Sequence, residues 1–255
     1  MNRLSAPYFK WKGATSTSKG VFMISMPTRG AAVLNGQKAN NLGRDGFTFY
    51  DEGGYGAITI KCDVVVPKNR DLDAALAWLN GSGTLTFSDD DTKHWDAMII
   101  TSYNRSSPFK RLEGQKMTIT WTAQPFRYLN TESAITLTSS GNFSGQGHVP
   151  SRPLITVKGS STSASPATLT IYDNTNQPNV MELILTSGTP LYIDCDAKGA
   201  YVISSGGRVY AGQNVRIAAG SDWYELKPAG QANNNRVEMA NGITEVQIQP
   251  RWRFL

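Results

Sequence analysis

The feature that most constrains the fold of this chain is the alternation of apolar and polar residues at every second position. The run 58–66 places Ile, Ile, Cys, Val and Val at alternate positions, and the run 117–123 does the same with Met, Ile, Trp and Ala between threonines. Shorter runs of the same kind lie at 169–171, 181–185, 191–195, 215–217 and 246–248. Because successive side chains of a strand point to opposite faces, these runs predict half-buried antiparallel strands and a mainly β fold.

One segment, 71–80, has a helical period instead. Its apolar residues form a single stripe, at Leu72, Ala75, Leu76 and Leu79. Asn69 or Asp71 can cap the start of this helix, and Gly81 can adopt the left-handed conformation just past its end. The sequence therefore predicts one α-helix over 71–80 within the β fold.

The composition is that of a globular protein. The chain has 255 residues, of which 40% are hydrophobic and 18% charged, and this is too apolar for a disordered protein. Its length suits one large domain or two ordinary ones. No apolar run approaches the roughly 18 residues that span a bilayer, and residues 1–13 contain no apolar core of a signal peptide. We therefore expect a soluble protein that folds in a cytoplasm, without membrane insertion.

Few residues are available for catalysis or metal binding. The two histidines, His94 and His148, and the two cysteines, Cys62 and Cys195, are scattered along the chain, and this excludes a zinc site with several such ligands. No G-x-S-x-G nucleophile elbow is present. The sequence predicts no catalytic residue, no metal and no cofactor; the histidines are expected at the surface or in loops, and the cysteines as small apolar core residues.

Two groups of acidic residues are dense enough to be candidates for metal binding or catalysis. Asp89, Asp90 and Asp91 are consecutive, whereas an EF-hand calcium loop spaces its acids at alternate positions and needs a glycine at the sixth. Asp194 and Asp196 fall on one face of a predicted strand and could act as an acid and base pair, but the polar face of such a strand normally meets water. We expect a solvated hairpin loop at 88–91 and a solvated face at 194–196.

The net charge of +5 allows a nucleic-acid partner. The cations are scattered, however, and the densest group is Arg251-Trp252-Arg253 near the C-terminus. Because no basic stripe is interleaved with stacking aromatic residues, sequence-specific binding of nucleic acid is not expected.

The composition shifts in the middle of the chain. Of the 35 residues in 131–165, 18 are Ser, Thr or Gly, and domain boundaries typically fall in such polar segments. We place a boundary between Asn130 and Val149, which gives an N-terminal domain over 1–140 and a C-terminal domain over 141–255. The apolar end of the chain, residues 252–255, is expected to pack back on the N-terminal domain.

Eight short motifs follow one another in a fixed order along the chain. They are Gly43-Arg44-Asp45-Gly46, Tyr55 before the 58–66 strand, Trp78-Leu79 at the helix end, Leu85–Phe87, Pro125-Phe126 before Tyr128, Pro153–Gly159, Asp194 before Cys195, and Leu226–Gly230 followed by Pro250-Arg251-Trp252-Arg253. In this order, from about residue 40 to 255, the chain resembles the siphophage distal tail protein family.

The resemblance implies a structural virion protein at the distal end of a long non-contractile phage tail. In that family an N-terminal β domain of sandwich or split-barrel type, with one α-helix, forms a hexameric ring, and a galectin-like β-sandwich follows it. The ring joins the major tail tube protein to a tail-associated tip protein and to receptor-binding or baseplate components. Phage DNA passes through it without sequence-specific binding. The expected location is the virion tail tip, after assembly in the host cytoplasm.

A carbohydrate-binding β-sandwich, similar to a lectin, is the alternative function. The chain has six tryptophans that could stack on sugars. Trp78 lies beside the helical stripe and Trp121 is in phase with an apolar strand face, so both are expected in the core. Trp95 and Trp223 lie among polar residues and are the remaining candidate platforms.

Overall fold

The computed structural model describes residues 7–40, 45, 47–99, 104–105, 114–172, 176–230 and 234–255. The chain divides into two compact units, Met1–Asn130 together with Leu255, and Thr131–Phe254. In both units strands predominate, and the described residues contain one α-helix. The predicted fold class, mainly β with a single helix, is confirmed. No helix in the described part of the chain is long and apolar enough to cross a membrane.

The first unit contains eleven of the described strands and the helix. These are β1 (Phe9–Trp11), β2 (Ala14–Thr15), β3 (Phe22–Met23), β4 (Thr28–Arg29), β5 (Leu34–Asn40), β6 (Phe47–Tyr55), β7 (Ile58–Val66), α1 (Leu72–Leu79), β8 (Gly81–Phe87), β9 (Asp90–Ile99), β10 (Asn104–Arg105) and β11 (Gln115–Leu129). Nine strands form one sheet in the order β2-β1-β8-β9-β11-β7-β3, with β10 paired to β11 and β4 paired to β7. The remaining two, β5 and β6, form a separate hairpin.

The two long alternating runs of the sequence are neighbours in this sheet. β11 pairs antiparallel with β7, so that Trp121 lies opposite Ile60 and Ile119 lies opposite Cys62. All four side chains are buried. Both strands therefore present their apolar positions to the same core, as the period of two requires.

Helix α1 begins and ends as the sequence predicts. Asp71 is the N-cap, because its Oδ1 accepts a hydrogen bond of 3.1 Å from the Ala74 N–H. Gly81, just past the helix, has a φ of +97°, a value that favours glycine. The apolar stripe of the helix packs on the sheet, and the indole N–H of Trp11 donates a 3.1 Å hydrogen bond to the Leu79 carbonyl.

The second unit contains two sheets, one of six strands and one of five. Its strands are β12 (Ile135–Leu137), β13 (Gly141–Phe143), β14 (Leu154–Gly159), β15 (Ala167–Tyr172), β16 (Pro178–Leu183), β17 (Leu191–Asp194), β18 (Gly199–Ser204), β19 (Gly207–Tyr210), β20 (Val215–Ile217), β21 (Asn235–Ala240) and β22 (Ile243–Gln249). The six-stranded sheet has the order β12-β22-β14-β17-β18-β19, and the five-stranded sheet has the order β13-β21-β15-β16-β20.

One face of each of these sheets is buried. Ile155, Ile193 and Ile248 are fully buried in the six-stranded sheet, as are Leu169 and Met181 in the five-stranded sheet. Two antiparallel sheets that each bury one apolar face form a β-sandwich. The predicted strands of the second half are thus confirmed, and their apolar positions form the inner faces of the two sheets.

Each unit contains one buried, free cysteine. Cys62 lies on β7 of the first unit, and Cys195 directly follows β17 of the second. Burial raises the pKa of both thiols to about 12. Both thiols are therefore neutral near pH 7, as expected for small apolar core residues.

Candidate functional site

The predicted turn at 43–46 lies mostly outside the described residues. Gly43, Arg44 and Gly46 belong to that undescribed part, and Asp45 is exposed. Trp78 and Leu79 lie in α1, where Leu79 is fully buried. The Trp78 ring is half-buried and stacks on Phe9 with ring centroids 5.8 Å apart. These two positions hold the helix on the sheet.

Pro125 and Phe126 lie where the central strand changes its pairing. The register between β11 and β9 shifts between Ala123 and Arg127. Proline has no N–H to donate to a strand ladder, and it is tolerated at such a bulge because the regular pairing is interrupted there. The Phe126 ring packs edge-on against Tyr55, with centroids 5.1 Å apart. Tyr55 is the last residue of β6, so this pair fixes one end of the β5–β6 hairpin.

Asp194 and Arg251 form an ion pair within the second unit. The two guanidinium nitrogens of Arg251 donate to the two carboxylate oxygens of Asp194 at 2.7 and 3.1 Å. The Asp194 side chain is only 14% exposed, so the expectation of a solvated face is wrong at this position. Burial alone would raise the pKa of Asp194, but the hydrogen bonds from Arg251 and from two backbone N–H groups outweigh it and lower that pKa.

The segment after β22 is held by a second carboxylate. Glu132 accepts hydrogen bonds of 2.8 Å from the backbone N–H groups of Arg251 and Trp252, one on each oxygen. Pro250 and Trp252 are buried. The motif at 250–252 therefore fastens the closing segment to the body of the second unit.

Replacing Arg251 with glutamine is expected to destabilise the second unit by about 1–3 kcal/mol, because a mostly buried carboxylate loses its charged partner and keeps only two backbone hydrogen bonds. Calorimetric unfolding of the full chain measures the loss. Arg216→Gln is the matched control, since the Arg216 side chain is 82% exposed and pairs with Glu182 at 3.5 Å; such a surface pair contributes about 0–1 kcal/mol. Equal losses in both variants would contradict this assignment.

The same pair predicts an acid dependence. A carboxylate with a lowered pKa stabilises the folded state above its ordinary value of 3.8, and that stabilisation is lost as the pH falls through the lowered value. Between pH 4 and pH 2, the wild type should therefore lose more stability than Arg251→Gln. The same calorimetric measurement monitors this loss. If the stability of both proteins declined in parallel, Arg251 would not be the residue that lowers the pKa of Asp194.

Of the acidic cluster at 89–91, Asp89 lies in the predicted turn between β8 and β9, whereas Asp90 and Asp91 begin β9. Two of the three acids are not merely solvated, however. Asp89 pairs with Arg29 at 2.6 Å, and Asp90 pairs with Arg127 at 2.8 Å. The hydrogen bond from Arg29 lowers the pKa of Asp89. Among the described residues, no group of three or more potential ligands could hold a metal ion.

Trp95 is not an exposed platform, and that prediction is wrong. Its side chain is 7% exposed and packs edge-on against Phe87 at 6.1 Å. The guanidinium groups of Arg29 and Arg127 lie 5.5 and 5.4 Å from its ring centroid. Its polar sequence neighbours, His94 and Asp96, do not predict its exposure, because the residues on either side of Trp95 in the strand point to the opposite face of the sheet. Trp223, the other candidate, remains half-buried.

Among the described residues of the first unit, the large aromatic side chains that are exposed lie on the β5–β6 hairpin. Phe47, Phe49 and Tyr50 are 54%, 41% and 60% exposed. Phe47 and Phe49 share one face, and Tyr50 points to the other, because side chains alternate along β6. Within the described residues the two strands pair with each other and with no other strand.

This hairpin is shaped around its aromatic rings. A Cβ at Gly36 would collide with the Phe49 ring and the Tyr50 carbonyl oxygen, so glycine is required there. The ammonium of Lys38 lies 4.8 Å from the Phe47 ring centroid. An isolated two-stranded hairpin is marginally stable in water, and exposed apolar patches mark interaction sites. The hairpin is therefore the candidate assembly interface, which sequence periodicity missed because Leu34–Asn40 has no apolar alternation.

Comparison with known proteins agrees with the fold described above. No protein-family model matches the sequence, and no curated protein gives a significant match. Among solved structures, the chain is similar to the Dit protein (gp 19.1) of phage SPP1, described as a paradigm of the hub adsorption apparatus of phages infecting Gram-positive bacteria; identity is 16%, the TM-score is 0.69, and 98% of this chain and 100% of that chain are covered.

A second similar structure is a chain of the phage p2 baseplate in its activated conformation with Sr. There the identity is 8%, the TM-score is 0.52, and the coverage is again 98% of this chain and 100% of the other. Over almost its entire length, this chain thus has the fold of proteins from a phage hub and a phage baseplate.

Proposed function

We propose that this protein is a structural hub protein at the distal end of a long non-contractile phage tail. Six copies form a closed ring that joins the major tail tube protein to a tail-associated tip protein and to receptor-binding or baseplate components. The observation that carries this proposal is the similarity of fold to the SPP1 hub protein over 98% of the chain. The order of sequence motifs, which is independent of the fold comparison, supports it.

The β5–β6 hairpin supports the ring. A closed ring needs a heterologous interface, in which one surface of a copy meets a different surface of its neighbour. Aromatic side chains are enriched in the energetic centres of interfaces, and the hairpin exposes three of them. We assign the ring contacts to the first unit and the contacts with adsorption components to the second.

The proposal includes no catalytic activity, metal or cofactor. Each of the two histidines makes a contact within its own unit. His94 Nδ1 lies 2.8 Å from Asn130 Oδ1, and the His148 ring packs on Phe254 at 5.6 Å. Phage DNA passes through the ring without sequence-specific contacts, and assembly takes place in the host cytoplasm before the protein reaches the virion tail tip.

Electron microscopy of tail tips tests the proposal. Antibody against this protein should label the distal end of the tail, and averaged images of that end should show sixfold symmetry. Native mass spectrometry of the purified protein provides a second reading, because ring formation in solution gives six times the mass of the chain. Labelling of another virion part, or a ring with a different symmetry, would contradict the proposal.

A further inference from the structure

A groove of about 360 Å³ lies in the second unit. It is formed by residues 220–227 together with Pro150, Arg152, Asn179, Cys195 and Lys198. Small-molecule sites in proteins have volumes of about 300–1,000 Å³, so this groove is at the lower end of that range. All of its residues belong to the second unit.

Trp223 lies in this groove on a firmly held segment. Its backbone N–H donates a 2.7 Å hydrogen bond to Asp222 Oδ1, and the Asp222 N–H donates one of 3.1 Å to Asn179 Oδ1. On the other side, Tyr224 is fully buried and its hydroxyl donates to the Leu169 carbonyl at 2.5 Å. The backbone that carries the half-buried indole is therefore fixed before any ligand binds, and this lowers the entropic cost of binding.

The polar groups around Trp223 have hydrogen-bonding capacity left over. The Lys198 ammonium makes no hydrogen bond or ion pair with any described residue. Asn179 uses its carbonyl oxygen, so its amide N–H groups can donate to a ligand. Asp222 uses one carboxylate oxygen, and the other can accept. Arg152, by contrast, is paired with Glu225 at 3.0 Å.

We propose that this groove binds a saccharide, with the Trp223 indole against the apolar C–H face of one sugar ring. Hydroxyl groups both donate and accept hydrogen bonds, and the groove offers two donors, Lys198 and Asn179, and one acceptor, Asp222. Cations and carboxylates are both present, which suits a hydroxyl-rich ligand better than a polyanion. One aromatic face among many polar groups suits a sugar better than an apolar ligand. The proposal goes beyond the hub function and does not rest on it.

Binding of the fluorescently labelled full-length protein to an array of oligosaccharides tests this site. The wild type should bind a defined subset of glycans, and Trp223→Ala should lower that binding about tenfold or more, as expected for a central aromatic contact. Lys198→Asn should also weaken it, and it keeps a residue tolerant of the positive φ at this position. Tyr210→Ala is the matched control, because Tyr210 is a 75% exposed aromatic residue of the same unit outside the groove.

Two results would overturn the proposal. In the first, no glycan on the array binds the wild type more strongly than it binds Trp223→Ala. If Trp223→Ala does not fold, the same comparison is made between the wild type and Lys198→Asn. The other is binding that survives Trp223→Ala and disappears at about 1 M salt, where charges are screened beyond about 3 Å; this would identify an anion site. Neither result bears on ring formation, so failure of the saccharide site and failure of the hub function are distinguishable.

Discussion

Replacing Trp121 with alanine is expected to unfold the first unit. The Trp121 side chain is fully buried at the centre of the aromatic core. Its ring lies 5.2 Å from Phe9, 6.1 Å from Phe87 and 6.3 Å from Trp11, measured between centroids. Removing such a side chain costs about 3–5 kcal/mol, a large part of the roughly 5–15 kcal/mol that stabilises a typical domain.

Trp121→Phe tests whether the loss of stability comes from lost packing volume, because phenylalanine removes only part of the buried ring system. The Trp121 indole N–H has no hydrogen-bond acceptor among the described residues, so phenylalanine sacrifices packing alone and should be milder than alanine. Loss of the far-ultraviolet strand signal and rapid proteolysis of 1–130 would measure unfolding of the alanine variant. A variant that keeps wild-type thermal stability would show that Trp121 does not organise this core.

Replacing Phe47, Phe49 and Tyr50 together with serine is expected to abolish ring formation without unfolding the chain. All three side chains are exposed, so their removal leaves the core of the single copy intact. At an interface, a central aromatic residue contributes about 2 kcal/mol or more, and the loss of three such contacts would lower association by several orders of magnitude. Native mass spectrometry and electron microscopy of tail tips measure the outcome.

The second unit offers a matched control for the triple variant. Ile203, Val209 and Tyr210 on the β18–β19 hairpin are also large, apolar and exposed, and their replacement by serine should leave rings intact. If this control abolished rings and the hairpin variant of the first unit did not, the interface would be misplaced. Equal loss in both variants would point to a general effect of surface polarity.

The strands and helix that could be predicted from sequence are those whose period is set by a buried face. β7 alternates over nine residues and α1 repeats over two turns, so each pattern identifies both the element and its inner side. The β5 strand has no such pattern, since neither face of its hairpin is buried within the described chain. Hydrophobic periodicity arises from a buried face, so it does not predict a strand whose side chains are exposed on both faces.

The misjudged residues share a different cause. Trp95 stands between polar residues in the sequence, and Asp194 stands on the polar side of an alternating strand. Both contact arginines that come from elsewhere in the chain. Arg251 is 57 residues from Asp194 along the chain. Such partners are set by strand order, which local periodicity does not contain. Trp223, by contrast, is half-buried beside the polar residues Asp222 and Asn179, and its role as a platform stays a prediction.

The distribution of cysteines gives each unit its own reporter of opening. A buried thiol with a pKa near 12 reacts with alkylating reagents through states in which the surrounding structure has opened. Cys62 lies in the first unit and Cys195 in the second. The time at which each cysteine-containing peptide gains the mass of the label therefore reports the opening of its own unit. Labelling during gradual thermal unfolding would thus reveal which of the two units opens first, without any introduced probe.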